Sequence, residues 1–146
     1  MTVGVEHRLL HNEGNMKRIA VIYGTYHESE AAQMRDAVRA EALAAGAEIV
    51  YEKGVPGSME KPLATKRALM EENVDAVVVL GIIEKGETQH GLVMAQAVIR
   101  SLVDLQLEFM KPVGVGILGP DIQSHQIPPR LRLYAANALK AVCAML

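Results

Sequence analysis

A chain of 146 residues with a formal net charge of -2 and 50% hydrophobic residues has room for one domain with one sizeable core. Near-neutral charge gives no footprint for a polyanion, so no nucleic-acid partner is expected. No apolar run approaches the roughly 18 residues of a membrane span. The single cysteine, Cys143, leaves no internal disulfide and no zinc knuckle, which fits a soluble protein of a reducing cytoplasm.

No secretory signal is visible. Residues 1–16 show little periodicity and read as an N-terminal arm or an extension, with residues 17–146 as a single domain. The run Arg18 to Tyr23 is β-branched and ends at Gly24, which predicts a first strand followed by the loop Gly24-Thr25-Tyr26-His27-Glu28. Ser29 is the expected N-cap of a helix to Ala45. Ala31, Met34, Val38 and Leu43 fall near one face of it, and Gly46 is its stop. A second strand spans Glu48 to Glu52. The turn Val55-Pro56-Gly57-Ser58-Met59-Glu60-Lys61-Pro62 follows, with Ser58 placed to cap a helix ending near Asn73.

Val74 to Leu80 is an uninterrupted apolar run apart from Asp75, the pattern of a strand buried on both faces. It feeds the loop Gly81-Ile82-Ile83-Glu84-Lys85-Gly86-Glu87-Thr88-Gln89-His90, and a helix pattern then runs from Leu92 to Phe109. That helix has two apolar stripes. At 100° per residue, Met94, Val98, Leu102, Leu105 and Phe109 form one, and Leu92, Ile99, Val103 and Leu107 form the other. A four-stranded sheet covers only one of them, so the second predicts a subunit interface. Pro112 to Leu118 is a fourth strand, Gly119-Pro120-Asp121 a turn, and Arg130 to Met145 a last helix.

The order β-α-β-α-β-α-β-α with right-handed crossovers predicts a three-layer αβα, flavodoxin-like fold with a four-stranded parallel sheet in the order 2-1-3-4. Its loops after strands 1, 2 and 3 lie along one edge, where open α/β sheets bind ligands.

The loop ending in His90 carries a carboxylate, a hydroxyl and an imidazole at a helix start. Free N–H groups there hold an anion, and His90 can move protons near neutral pH. The plain alternative is that Thr88 caps the helix and His90 lies on its surface. Tyr26 either stacks on a planar heterocycle or packs over the sheet end. His27 reads as a loop residue. Arg130 and Arg132 place cations against a helix N-terminus, which favours a nearby anion.

Together these pieces resemble the 6,7-dimethyl-8-ribityllumazine synthases of riboflavin biosynthesis. Val55 to Pro62 looks like that family's VPG-(A/S)-x-E-x-P turn, and Gly86-Glu87-Thr88-Gln89-His90 like its G-(E/A)-T-x-H loop. The resemblance implies a transferase that condenses 5-amino-6-(D-ribitylamino)uracil with 3,4-dihydroxy-2-butanone 4-phosphate, releasing phosphate and water, without metal or cofactor. It implies that Tyr26 stacks on the uracil and that Ser58, Met59 and Glu60 hold the ribityl chain. Gly81, Ile82 and Ile83 would contact the pyrimidine edge. Glu87 and Thr88 would present N–H groups to the phosphate, with Arg130 of a neighbouring subunit closing that site, and His90 would be the general acid/base. It also implies homopentamers, some packed into icosahedral shells of sixty.

Three positions depart from many members of that family. Gly91 replaces an aromatic after the histidine, Ala138 lies beside a position that is often lysine, and Val115 replaces an aromatic that covers the uracil from the next subunit. They keep two rivals in view: the archaeal type of riboflavin synthase, and a non-catalytic lumazine- or flavin-binding or shell-forming paralogue. The first needs no phosphate site, so Glu87, Thr88 and Arg130 argue against it.

Overall fold

The computed structural model describes residues 16–146, so the expected N-terminal arm lies outside the described residues. Strand β1 (Lys17–Gly24) is followed by α1 (Glu28–Ala45), β2 (Ala47–Val55), a 3-10 turn (Ser58–Glu60) and α2 (Lys61–Leu69). Strand β3 (Ala76–Glu84), α3 (His90–Phe109), β4 (Val113–Ile122), a second 3-10 turn (Ser124–Gln126) and α4 (Leu131–Ala144) complete the chain. The strands are all parallel and lie in the order β2-β1-β3-β4, as the crossover argument requires.

Strand alternation sorts the core into two layers. Ile19, Val21, Val78 and Leu80 face Met34 and Val38 of α1 and Leu131, Ala135 and Leu139 of α4. Ala20, Ile22, Val77 and Val79 face the other way, onto Ala68 and Leu69 of α2 and Val98, Leu102 and Leu105 of α3. Both faces of β1 and β3 are therefore covered, which is why their sequences read as continuous apolar runs. The helices after β1 and β3 leave to opposite faces, opening a crevice between the two strand ends.

Several local expectations shift. Helix α1 starts at Glu28 with His27 at its N-cap position and no side-chain cap, so Ser29 lies inside the helix rather than capping it. Leu43 is 83% exposed; Ala42, one residue earlier, takes the place on the buried face. Gly46 does end the helix, in the left-handed conformation (φ 68) that only glycine adopts without strain. Helix α2 stops at Leu69 instead of near Asn73, and Gly81 to Glu84 are the last residues of β3 rather than loop. On α3, Val98, Leu102 and Leu105 of the first stripe are in the core with Met94 and Phe109 half-buried against it, whereas Val103 and Leu107 of the second are 42% and 64% exposed in the single chain.

A charged clasp ties α1 to β2. Glu52 accepts hydrogen bonds from Arg35 Nε (2.8 Å), Arg39 Nε (2.8 Å) and Arg39 Nη2 (3.0 Å). Burial pushes the Glu52 carboxyl up, but the two guanidiniums outweigh it and hold it below the ordinary value of 4.5. A carboxyl depressed in the folded state contributes stability above its unfolded pKa and loses it as pH falls through the folded one. Glu52→Gln is therefore expected to lower stability by about 1 kcal/mol at neutral pH. Urea unfolding of the two proteins should converge toward pH 3.

Candidate active site

The crevice between the ends of β1 and β3 is a cavity of about 580 Å³. Its walls come from the loop after β1, the turn after β2, the end of β3 and the first turn of α3. Register explains the convergence. Gly24 pairs with Val55, so β1 and β2 finish together, while β3 runs on from Leu80, opposite Tyr23, to Glu84 and forms one side of the crevice; Thr25 N–H donates to Val55 O at 2.8 Å to draw the first loop over β2.

Tyr26, Ser58, Met59, Glu60, Gly81, Ile82, Ile83, Thr88 and His90 all line this cavity. Tyr26 is 85% exposed, so it does not pack over the sheet end; it meets His27 edge to face, with ring centroids 4.9 Å apart. At that exposure most of its ring stands open at the cavity mouth. His90 is the first residue of α3, and its backbone N–H donates to Thr88 Oγ1 at 3.3 Å. Thr88 therefore bonds the helix start and lines the cavity at once.

Glu87 lies outside this cavity, on an adjoining hollow of about 450 Å³ shared with Glu84, Lys85, Gly86, Gln123 and Ser124. Arg130 is not brought to the cavity within one chain. It occupies the N-cap position of α4, and its Nη1 donates to Gln126 O at 2.9 Å. Val115 also stays away, half-buried in the middle of β4 against the layer formed by α2 and α3. Among the described residues no group of three His, Cys, Asp or Glu side chains gathers that could hold a metal ion.

Two wall residues escape the sequence reading. His27 is a wall of the cavity rather than a plain loop residue, with Nε2 3.5 Å from Glu84 Oε1. Lys61 is more unusual: it is 1% exposed and lines the cavity floor, where burial pushes its amine down to about 8 with Glu60 partly opposing. Helical spacing held the signal for it. Lys61, Thr65, Ala68 and Leu69 share the buried face of α2, and a lysine there has no ordinary structural reason.

Residues 16–146 match the family model described as 6,7-dimethyl-8-ribityllumazine synthase. The chain belongs to that family. The 6,7-dimethyl-8-ribityllumazine synthase of Staphylothermus marinus is 36% identical over 131 residues, 90% of this chain and 87% of the relative. The proteins of the same name from Methanococcus maripaludis strain C5 and Saccharolobus islandicus strain M.14.25 are 33% and 34% identical, covering 94% and 84% of the relatives. Lumazine synthases are transferases of riboflavin biosynthesis, so this chain is an enzyme of that class. No helix of the described residues is long and apolar enough to cross a membrane.

Proposed function

We propose that this lumazine synthase family member condenses 5-amino-6-(D-ribitylamino)uracil with 3,4-dihydroxy-2-butanone 4-phosphate in the crevice between β1 and β3. The observation that carries this reading is the cavity itself: the turn after β2 and the loop before α3, which carry the two motifs, both line one space. Tyr26 covers the uracil ring, the backbone of Ser58, Met59 and Glu60 follows the ribityl chain, and Gly81 to Ile83 meet the pyrimidine edge. The N–H groups of Glu87 and Thr88 receive the phosphate at the positive end of α3.

Amines add to ketones readily, so holding the two substrates in register does most of the work. The substrate amine attacks the ketone carbon, and the proton it loses and the hydroxyl that leaves as water both need a carrier. His90, at the cavity wall, fills that role, and serves again when a proton is removed as phosphate departs. His90→Ala is expected to slow turnover about 10- to 100-fold without abolishing it, since positioning survives. An unchanged single-turnover rate would remove His90 from the mechanism.

The protein acts in the cytoplasm as a homopentamer, alone or in a shell of sixty, with Arg130 and Val115 reaching the neighbour's site. Support comes from α3, where Val93, Val103 and Leu107 are 61%, 42% and 64% exposed. Val103→Asp combined with Leu107→Asp is expected to leave only monomer in sedimentation analysis, with turnover lost. A double variant that sediments like the parent would put the interface elsewhere.

A further inference from the structure

Among the described residues the buried polar side chains are Ser58, Lys61 and Thr65, and all three lie on one strip beneath the cavity. Lys61 heads the strip and is the largest fully buried side chain of the described residues. Its Nζ donates to Ser58 Oγ at 3.3 Å, and Glu60 is the one carboxylate that acts on it. An ammonium carries three N–H donors, so two remain for something else.

The amine reaches the floor through missing side chains. A Cβ at Gly81 would collide with Lys61 Nζ, and one at Gly24 would lie 3.5 Å from it. The ends of β1 and β3 thus part around the amine. A leucine or methionine would fill the same space without burying a charge, and isosteric apolar replacements of buried charges are commonly neutral or stabilising. The fold therefore gives no reason for a lysine, whereas the cavity does.

We propose that Lys61 contacts the substrate directly: its amine donates a hydrogen bond to a ring carbonyl oxygen of the pyrimidinedione held against Gly81 to Ile83, and so selects that heterocycle. The inference rests on the proposed function above. A carbonyl is the acceptor that suits these donors, because the edge of a pyrimidinedione pairs its carbonyls with N–H groups that backbone carbonyls of β3 can accept. The phosphate belongs elsewhere, at Glu87 and Thr88, where the α3 N-terminus supplies the donors.

Lys61→Met keeps the volume and removes the donors. With both substrates varied in initial-rate assays, it is expected to raise KM for the ribitylaminouracil at least about tenfold while KM for the butanone phosphate stays within about twofold. Lys61→Gln keeps N–H donors at the same position and is expected to raise that KM less than Lys61→Met does, a graded one-sided change that a packing defect would not give. Binding of the lumazine product, followed by its fluorescence, supplies a readout that a structural role would not move. Parent affinity should fall between about pH 7 and pH 9.5 more steeply than that of Lys61→Met. Tyr26, His27, Glu60, Glu84, Lys85 and His90 face the same cavity and remain in both proteins, so the difference between the two pH profiles reads Lys61. Equal KM values for the ribitylaminouracil in parent and both variants, or equal rises for both substrates, would overturn the role of Lys61. A parent that forms no lumazine would overturn the proposed function instead.

Discussion

Lys61→Met is expected to unfold at a higher temperature than the parent. The amine sits 1% exposed with its pKa pushed from 10.5 to about 8, so the folded state holds its proton less tightly than the unfolded chain does. Below about pH 8 the folded protein must bury a cation, and the shift corresponds to a destabilisation on the order of 3 kcal/mol. The sign follows from proton counting: between the two values the unfolded chain binds more protons, so parent stability rises with pH there. Methionine carries no charge and should lift the unfolding midpoint by several degrees at pH 7, with the gap closing as pH rises toward 10. Differential scanning calorimetry at the two pH values reads both parts. A variant less stable than the parent at pH 7 would mean that Lys61 is held by structural bonds, and that the site does not exchange stability for binding.

Arg130→Ala is expected to raise KM for the butanone phosphate by about 10- to 100-fold, with a smaller effect on KM for the ribitylaminouracil. One guanidinium N–H is used within the chain, on Gln126 O, and the cation stands at the N-cap position of α4, where the helix dipole opposes it. That placement makes sense if an anion arrives from outside the chain. The Arg130 side chain does not line its own chain's cavity, so under the proposed function the phosphate it serves is a neighbour's. Oligomers assembled from mixed Arg130→Ala and His90→Ala chains should then exceed the activity of either homogeneous variant at low butanone phosphate, since some sites receive both intact residues. Inhibition by inorganic phosphate should weaken in parallel in Arg130→Ala. A KM for the phosphate substrate within twofold of the parent would exclude the arginine from that site.

The framework of this protein was legible because its signals are periodic. A parallel strand buried on both faces, such as Ala76 to Ile83, can hardly be written except as a charge-free apolar run, and the crossovers then fix the order β2-β1-β3-β4. Helix ends were less legible. Ser29 has the right chemistry for a cap, but the chain enters the helix earlier, and Leu43 has the right chemistry for the core but falls off the buried arc by one residue. Motif residues around the cavity stood out because unusual residue types cluster there in short stretches. Lys61 and His27 did not, for opposite reasons. A lysine in a first helical turn looks like a solvated residue until the glycines across the sheet show where it goes, and an imidazole in a loop shows its purpose only when Glu84, far along the chain, is placed beside it. Helical spacing marks Lys61 as facing inward, but the cavity that either residue reaches depends on contacts between strand ends that no local pattern encodes.

The most direct measurement is the absorbance of the lumazine band, with phosphate release followed in parallel, when the purified protein is mixed with the ribitylaminouracil and the butanone phosphate. Lumazine should accumulate with an equal amount of phosphate, only when both substrates are present, and in saturable dependence on each. Lumazine consumed with riboflavin appearing, or tight binding of lumazine without any turnover of the two substrates, would contradict the assignment of this cavity as a lumazine synthase active site.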